Sequence, residues 1–474
     1  MKKLLPLILS LLLGSYAHAE ITLSDLFADN MILQQLTEAQ IWGSTSIKNG
    51  EVSVTGSWNG KTVTTKANSL GEWRLKIETP AYGGPYTIKM SDGSHDVEIN
   101  NVLIGEVWIA AGQSNMARTL SGTTSQHIEN STRDIALSRD PQLRIMSIRR
   151  NAKLEPQTEV LTKAGWQEAS SGVVSGMSAT AYHFARMMRE CLDVPVGVIV
   201  AAIGGTSINC WLDGESVAKY EDVIAHNEFY PFPDSRHSTV LYNGMIHPIA
   251  GYSAKGFIWY QGESDITTYD SYPYKMVDLV SLWRAKWGND DMAFYYAQIA
   301  PYEYEKYIAP GWESMYVREA QLKALDLIPN SGMAILSDAG DQVSIHPARK
   351  DIPGERLAFQ ALEKSYNFDG LESDGPTLKE VEINGKEMTL TFDNARFGVT
   401  TMERGDLRDF EIAGEDGHFV EATAVIEKGK VILSTATVKE PKYIRYGFKN
   451  WFVGSLFNIE GIPASSFRTD NFPQ

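Results

Sequence analysis

Short apolar runs at residues 107–111, 196–202, 256–260, 294–299 and 333–337 constrain this chain more than any other feature. They lack a regular apolar–polar alternation, so each predicts a strand buried on both faces, as in a parallel sheet covered by helices. Helical patterns fall between them. Residues 179–192 place Ala181, Phe184, Ala185, Met188 and Cys191 at helical spacing, and residues 274–287 supply a second such segment. Strand–helix alternation from about residue 102 onward predicts a doubly wound α/β sheet. Its chemistry should gather in the loops beyond the carboxyl ends of the strands.

The flanks read differently. Residues 20–100 hold short strand patterns at 51–55, 61–65 and 86–90, punctuated by Asn59-Gly60 and Asp92-Gly93, pairs suited to the positive φ of hairpin turns. After Tyr366 helical periodicity disappears, and strand patterns at 387–392, 410–412, 425–426 and 431–433 indicate a second β region. The expected organisation is an N-terminal β domain over 20–100, a catalytic α/β domain over 101–366 and a β-rich region over 367–474. Residues 1–19 carry Lys2 and Lys3, an apolar run and Ala17-His18-Ala19, the pattern of an export signal. The expected location is periplasmic or extracellular. No later segment offers the apolar length of a membrane span, so no membrane anchor is expected.

A formal charge of −16 argues against nucleic acid or an anionic membrane as partner. Cys191 and Cys210 are the only cysteines, and the sequence leaves open whether they pair. Neither CxxC nor HExxH spacing occurs, and no metal or other cofactor is expected.

Ser114 stands out in Gly112-Gln113-Ser114-Asn115-Met116, directly after the run at 107–111. A serine at a strand-to-loop turn can expose its hydroxyl, but it needs a base within hydrogen-bond reach. An isolated Gly-x-Ser is more often a polar turn. Three further segments shift that balance. Gly204-Gly205-Thr206 follows a predicted strand and can present a backbone N–H to an oxyanion, and Gln261 in Trp259-Tyr260-Gln261-Gly262-Glu263-Ser264 carries an amide donor. Donors of this kind in a dry site are each worth about 3 kcal/mol of transition-state stabilisation. His346, late in the chain, offers a general base.

Together GQSNM, GGTSINCW, WYQGES and IHPARK resemble the sialate O-acetylesterases of the SGNH hydrolase superfamily, as do LFADNMILQQ and YNGMIHP. The resemblance runs through nearly the whole chain after residue 19. It implies an SGNH-type sheet, Ser114 as nucleophile, His346 as base, and Gly205 N–H, Ser114 N–H and the Gln261 side chain as an oxyanion hole. The reaction it implies is deacetylation of a sugar or sialoglycan through an acetyl-serine. Aspartate two or three residues before the histidine is common in that superfamily, but Ser344 and Val343 stand there. Asp341, five residues before, is the nearest carboxylate for the role, with a main-chain carbonyl near Ser344 as the alternative.

Other polar residues carry a structural reading beside the functional one. His247 in YNGMIHP can line the pocket or serve as a hydrogen-bonded structural histidine, and Glu263 can support neighbouring groups. Arg318 and Gln321, spaced i,i+3, read as architecture, while Arg118, Arg349 and Lys350 read as surface charges able to meet a sugar carboxylate. Two alternatives remain: an acetylesterase on other glycans such as xylan, and a glycan-binding protein built on a degenerate hydrolase domain.

Overall fold

The computed structural model describes residues 20–225, 234–402 and 405–472. The expected export signal, residues 1–19, lies outside the described residues. The central sheet runs in the order Gln167–Ala169, Asp140–Ser147, Val196–Ala202, Asp96–Gly112, Gly256–Tyr260, Ala293–Ala297 and Ser331–Ala334. Neighbouring strands along this path are parallel, except for the short antiparallel edge strand Gln167–Ala169.

Strand alternation sends successive side chains to opposite faces and builds two cores. Val107, Ile109, Ala111, Phe257 and Trp259 enter one, shared with the helices Tyr272–Trp287 and Ser314–Leu327. Trp108, Ala110, Ile258 and Tyr260 enter the other, shared with Ala179–Leu192 and Asp351–Tyr366. Helices therefore cover both faces, which is why these strands read as continuous apolar runs. Local signals set the helix ends. Ser178 Oγ accepts the Ala181 N–H at 3.0 Å to cap Ala179–Leu192, and Gly288, at φ 66°, ends Tyr272–Trp287. Trp259 and Trp283 meet edge-to-face with centroids 5.7 Å apart, and each buried aromatic side chain contributes about 2–3 kcal/mol of burial free energy.

One strand belongs to two structures. Asp96–Gly112 is 17 residues long. Its first half pairs antiparallel with Gly83–Ser91 and parallel with Ile32–Gln34, while its second half lies between Val196–Ala202 and Gly256–Tyr260. The strand passes without interruption through residue 100, where the sequence pattern puts a domain boundary. A separate three-stranded sheet, Ile21–Leu23, Glu38–Thr45 and Glu72–Glu78, completes the N-terminal β region.

The C-terminal region holds two four-stranded sheets around a core that includes Met388, Leu390, Phe410, Ile412, Leu433 and Tyr446. Arg318 joins it to the α/β unit. Its buried guanidinium donates to Ser314 Oγ at 3.0 Å, Ser466 Oγ at 3.2 Å and the Lys449 carbonyl. The architecture is mixed α/β, with a large central sheet and flanking β-sheet regions. Cys191 and Cys210 are unpaired, the first exposed and the second buried.

Candidate active site

Ser114 begins a four-residue helix immediately after the long strand ends at Gly112. Gly112 adopts φ +138°, and a Cβ there would fall 2.1 Å from the Tyr260 carbonyl oxygen, so the turn out of the sheet requires glycine. A Cβ on Gly204 would sit 3.2 Å from that of Ser114, which puts the Gly204-Gly205 turn directly against the candidate nucleophile. Gly205 is exposed, and its N–H has no internal hydrogen-bond partner among the described residues. The Ser114 N–H and Oγ are likewise free of internal hydrogen bonds.

Gln261 does not fit the role of oxyanion donor. It is fully buried, and its Nε2 faces Gln113 Oε1 at 3.0 Å, Thr206 O at 3.1 Å and Asp265 Oδ2. Two amide hydrogens facing three acceptors leave none for a substrate. Its function here is to tie together the Gln113 and Thr206 segments from below. Asp265, whose carboxyl is pushed up to about 6 by burial, adds a second tie by accepting the Ile208 N–H at 3.0 Å.

The available side-chain amide belongs to Gln113. Its Oε1 accepts from Gln261 Nε2 at 3.0 Å, from Gly262 N–H at 3.3 Å and from Ser264 N–H at 3.2 Å. Two of these donors are backbone amides, so the oxygen must face them and the NH₂ must face away. That NH₂ has no protein acceptor among the described residues. The glutamine with a free NH₂ is thus the neighbour of the serine, Gln113, and not Gln261, to which sequence reasoning gave the donor role. The signal was present, a glutamine next to the nucleophile, but its orientation depends on contacts about 150 residues away in sequence.

His346 reaches the same place through the loop before Asp351–Tyr366. Asn115 Nδ2 donates to the Ile345 carbonyl at 3.1 Å, and Arg118 Nη2 donates to His346 Nδ1 at 3.1 Å. Burial first, then the positive charges of Arg118 and Lys350, hold the imidazole down at about 4. Ser114 Oγ and the His346 ring are not hydrogen-bonded to each other in this structure.

Asp341 is not the partner of this ring. Its Oδ1 accepts the N–H groups of Val343 at 2.9 Å and Ser344 at 3.1 Å, closing its own turn, and no hydrogen bond joins it to His346. An Asx turn of this kind forms locally and removes the carboxylate from a role further along the loop. The main-chain alternative near Ser344 also finds no partner, because the group on Nδ1 is Arg118.

Behind the serine lies a buried polar chain. Lys350 Nζ donates to Asn115 Oδ1 at 2.6 Å, and Asn115 Nδ2 donates to Glu263 Oε1. The amide therefore lies between a buried cation and a buried carboxylate, oriented correctly for both. Burial lowers Lys350 to about 7 and raises Glu263, while the opposite charges partly offset that effect. Glu263 thus supports the site without facing it, and Asn115, unremarked in sequence except as part of GQSNM, is the connecting residue.

Other candidates lie elsewhere. His247 Nδ1 meets the Gln157 carbonyl at 2.8 Å, and its ring lines a cavity of about 530 Å³ with Trp42, Trp73 and Arg74, a lining that includes neither Ser114 nor His346. Gln321 bonds Gln261 O at 3.0 Å and Ile299 N–H at 2.9 Å, which makes it part of the framework. Arg349 pairs with Asp351 at 2.6 Å. Among the described residues no cluster of three or more His, Cys, Asp or Glu could hold a metal ion, and no helix is long and apolar enough to cross a membrane.

Comparison with known proteins assigns the chain as a whole. Residues 104–362 match the family model for carbohydrate esterases described as sialic acid-specific acetylesterases. The crystal structure of a carbohydrate acetylesterase from Xanthomonas citri is similar at 31% identity and a TM-score of 0.86, covering 96% of this chain and all (100%) of that one. The sialate O-acetylesterase of Homo sapiens is 28% identical over 425 residues, spanning 81% of this chain and 78% of its own. That of Mus musculus is 28% identical over 452 residues, spanning 82% and 81%. With a half-buried serine beside free N–H donors and this match across both flanking β regions, the chain belongs to the sialate O-acetylesterase family of carboxylic ester hydrolases.

Proposed function

We propose that this chain is an exported serine O-acetylesterase of SGNH type acting on acetylated sugars, with O-acetylated sialic acid as its substrate class. The observation that carries the serine mechanism is the set of unoccupied donors around Ser114: its own N–H, the Gly205 N–H and the Gln113 NH₂. Three donors left free in the Ser114 segment and the adjoining Gly204-Gly205 turn, around a half-buried serine, suit a tetrahedral oxyanion. They also speak against a degenerate, purely glycan-binding scaffold.

In this reading Ser114 Oγ attacks the acetyl carbonyl carbon while His346 takes the hydroxyl proton. The carbonyl π electrons move to oxygen, where the three donors stabilise the charge. Collapse breaks the bond to the sugar oxygen, which leaves with the proton from His346. Water, deprotonated by the same imidazole, attacks the acetyl-serine and releases acetate. The wall behind this chemistry is the Glu263–Asn115–Lys350 chain, which fixes the serine segment relative to the histidine loop. The proposed division into a β domain over 20–100, a catalytic domain over 101–366 and a β region over 367–474 gives the flanks a bracing role.

The test is acetate release from O-acetylated sialic acid and from a small neutral acetyl ester. Ser114→Ala should lower turnover by about 10³-fold or more on both. A variant retaining a tenth of wild-type turnover would refute the nucleophile assignment.

A further inference from the structure

Arg118 is a guanidinium without a carboxylate. No salt bridge among the described residues includes it, its Nε is buried without a hydrogen-bond partner, and Nη2 rests on His346 Nδ1 at 3.1 Å. A neutral imidazole has one nitrogen with a free lone pair, and an N–H donor occupies it here, so the ring proton must be on the other nitrogen. Neither nitrogen can then accept a proton from Ser114, and the base is masked. The surroundings are cationic as well, with Lys350 buried behind the same loop and Asp341 held in its own turn.

We propose that Arg118 recognises a carboxylate on the acetylated sugar, and that this pairing draws its guanidinium off His346 and releases the base. The inference rests on the serine-esterase reading above and adds substrate selection to it. A planar guanidinium binds a carboxylate through two parallel hydrogen bonds, which outcompete its single bond to a neutral ring nitrogen. Acidic acetylated sugars would therefore switch the enzyme on as they bind, whereas neutral acetyl esters meet a masked base. The chemistry recognised is a sugar carboxylate, whether from a sialic acid or from a uronic acid.

The experiment compares matched substrates with the unaltered enzyme. Acetate release is measured from an O-acetylated sialic acid glycoside, from its neutral carboxamide, and from an acetylated uronic acid and its carboxamide. Each acid should exceed its amide by about 10- to 100-fold in kcat/KM, the range expected for a charge-assisted pair, with part of the effect in kcat. A preference confined to one acid identifies the source of the carboxylate, and a preference for both assigns a general carboxylate reader.

Arg118→Gln should bring acid and amide together and raise turnover of the neutral ester above wild type. It should also shift the low-pH limb of kcat/KM upward, because a neighbouring positive charge has been removed while burial and Lys350 remain. Arg118→Lys keeps the charge and should retain part of the preference for acids. Equal rates on acid and amide by the wild-type enzyme would overturn the proposal, as would a folded Arg118→Gln with unchanged preference and pH limb. If wild type releases no acetate from any substrate, or Ser114→Ala matches it, the esterase reading itself has failed.

Discussion

Replacing Lys350 with methionine removes a buried amine while keeping most of its volume, and the consequence can be worked out in sign and size. In the unfolded chain this lysine titrates near its ordinary value of 10.5, whereas burial in the fold lowers it to about 7. Below pH 7 both states hold the proton and the fold bears the full cost of burying the charge. Between about 7 and 10.5 the folded protein has released a proton that the unfolded chain still holds, so stability rises with pH. One proton of difference corresponds to about 1.4 kcal/mol per pH unit, or about 2–3 kcal/mol between pH 7.5 and pH 9.5.

The methionine variant lacks this contribution. It also leaves Asn115 Oδ1 without its donor, a pH-independent loss of about 1 kcal/mol. Urea unfolding of both proteins at half-unit steps across that window gives the difference curve, in which titrations common to the two cancel. Wild type should gain on the variant steadily as pH rises. A constant offset between the two curves would refute the reasoning, because it would mean that Lys350 stays protonated in the fold.

Two further outcomes follow from the site geometry. Gln113→Ala removes one of the proposed oxyanion donors and should lower kcat about 10²- to 10³-fold with little change in KM, measured by acetate release; a change confined to KM would reassign Gln113 to binding. Asp341→Asn keeps an acceptor for the Val343 and Ser344 N–H groups and should leave turnover within about threefold of wild type. A loss of 10³-fold or more there would restore Asp341 to the triad.

The legible parts of the fold were those where burial dictates composition. Val196–Ala202 and Gly256–Tyr260 are buried on both faces, so their apolar runs match their strands end to end, and Ala179–Leu192 could be read from helical spacing and its Ser178 cap. Asp140–Ser147 lies near the edge of the sheet, begins with polar residues, and gave no comparable run. Nor does any local pattern show that the strand ending at Gly112 starts at Asp96, because its two halves are buried by different partners.

Within the candidate site, Ser114, Gly205 and His346 stand out in sequence because turns after strands select small or polar residues. The choice between Gln113 and Gln261 was not legible, since both are glutamines at strand ends and only their partners separate them. Arg118 and His346 stand 228 positions apart, so a cation occupying the position behind the histidine could not be anticipated.

The strand Asp96–Gly112 has a consequence for anyone who would trim or recombine this protein. A cut at residue 100 removes the partners of the strand that delivers Ser114: the ladder with Gly83–Ser91, the pairing of Ile32 with Leu103, and Gln34 and Gln35, whose amides bind the Glu106 carboxylate. A one-residue slip in that ladder would also exchange Trp108 and Ile109 between the two cores. The leading β segment therefore works as the jig that sets the register of the catalytic sheet, and the smallest transplantable hydrolase from this chain begins before Ile32.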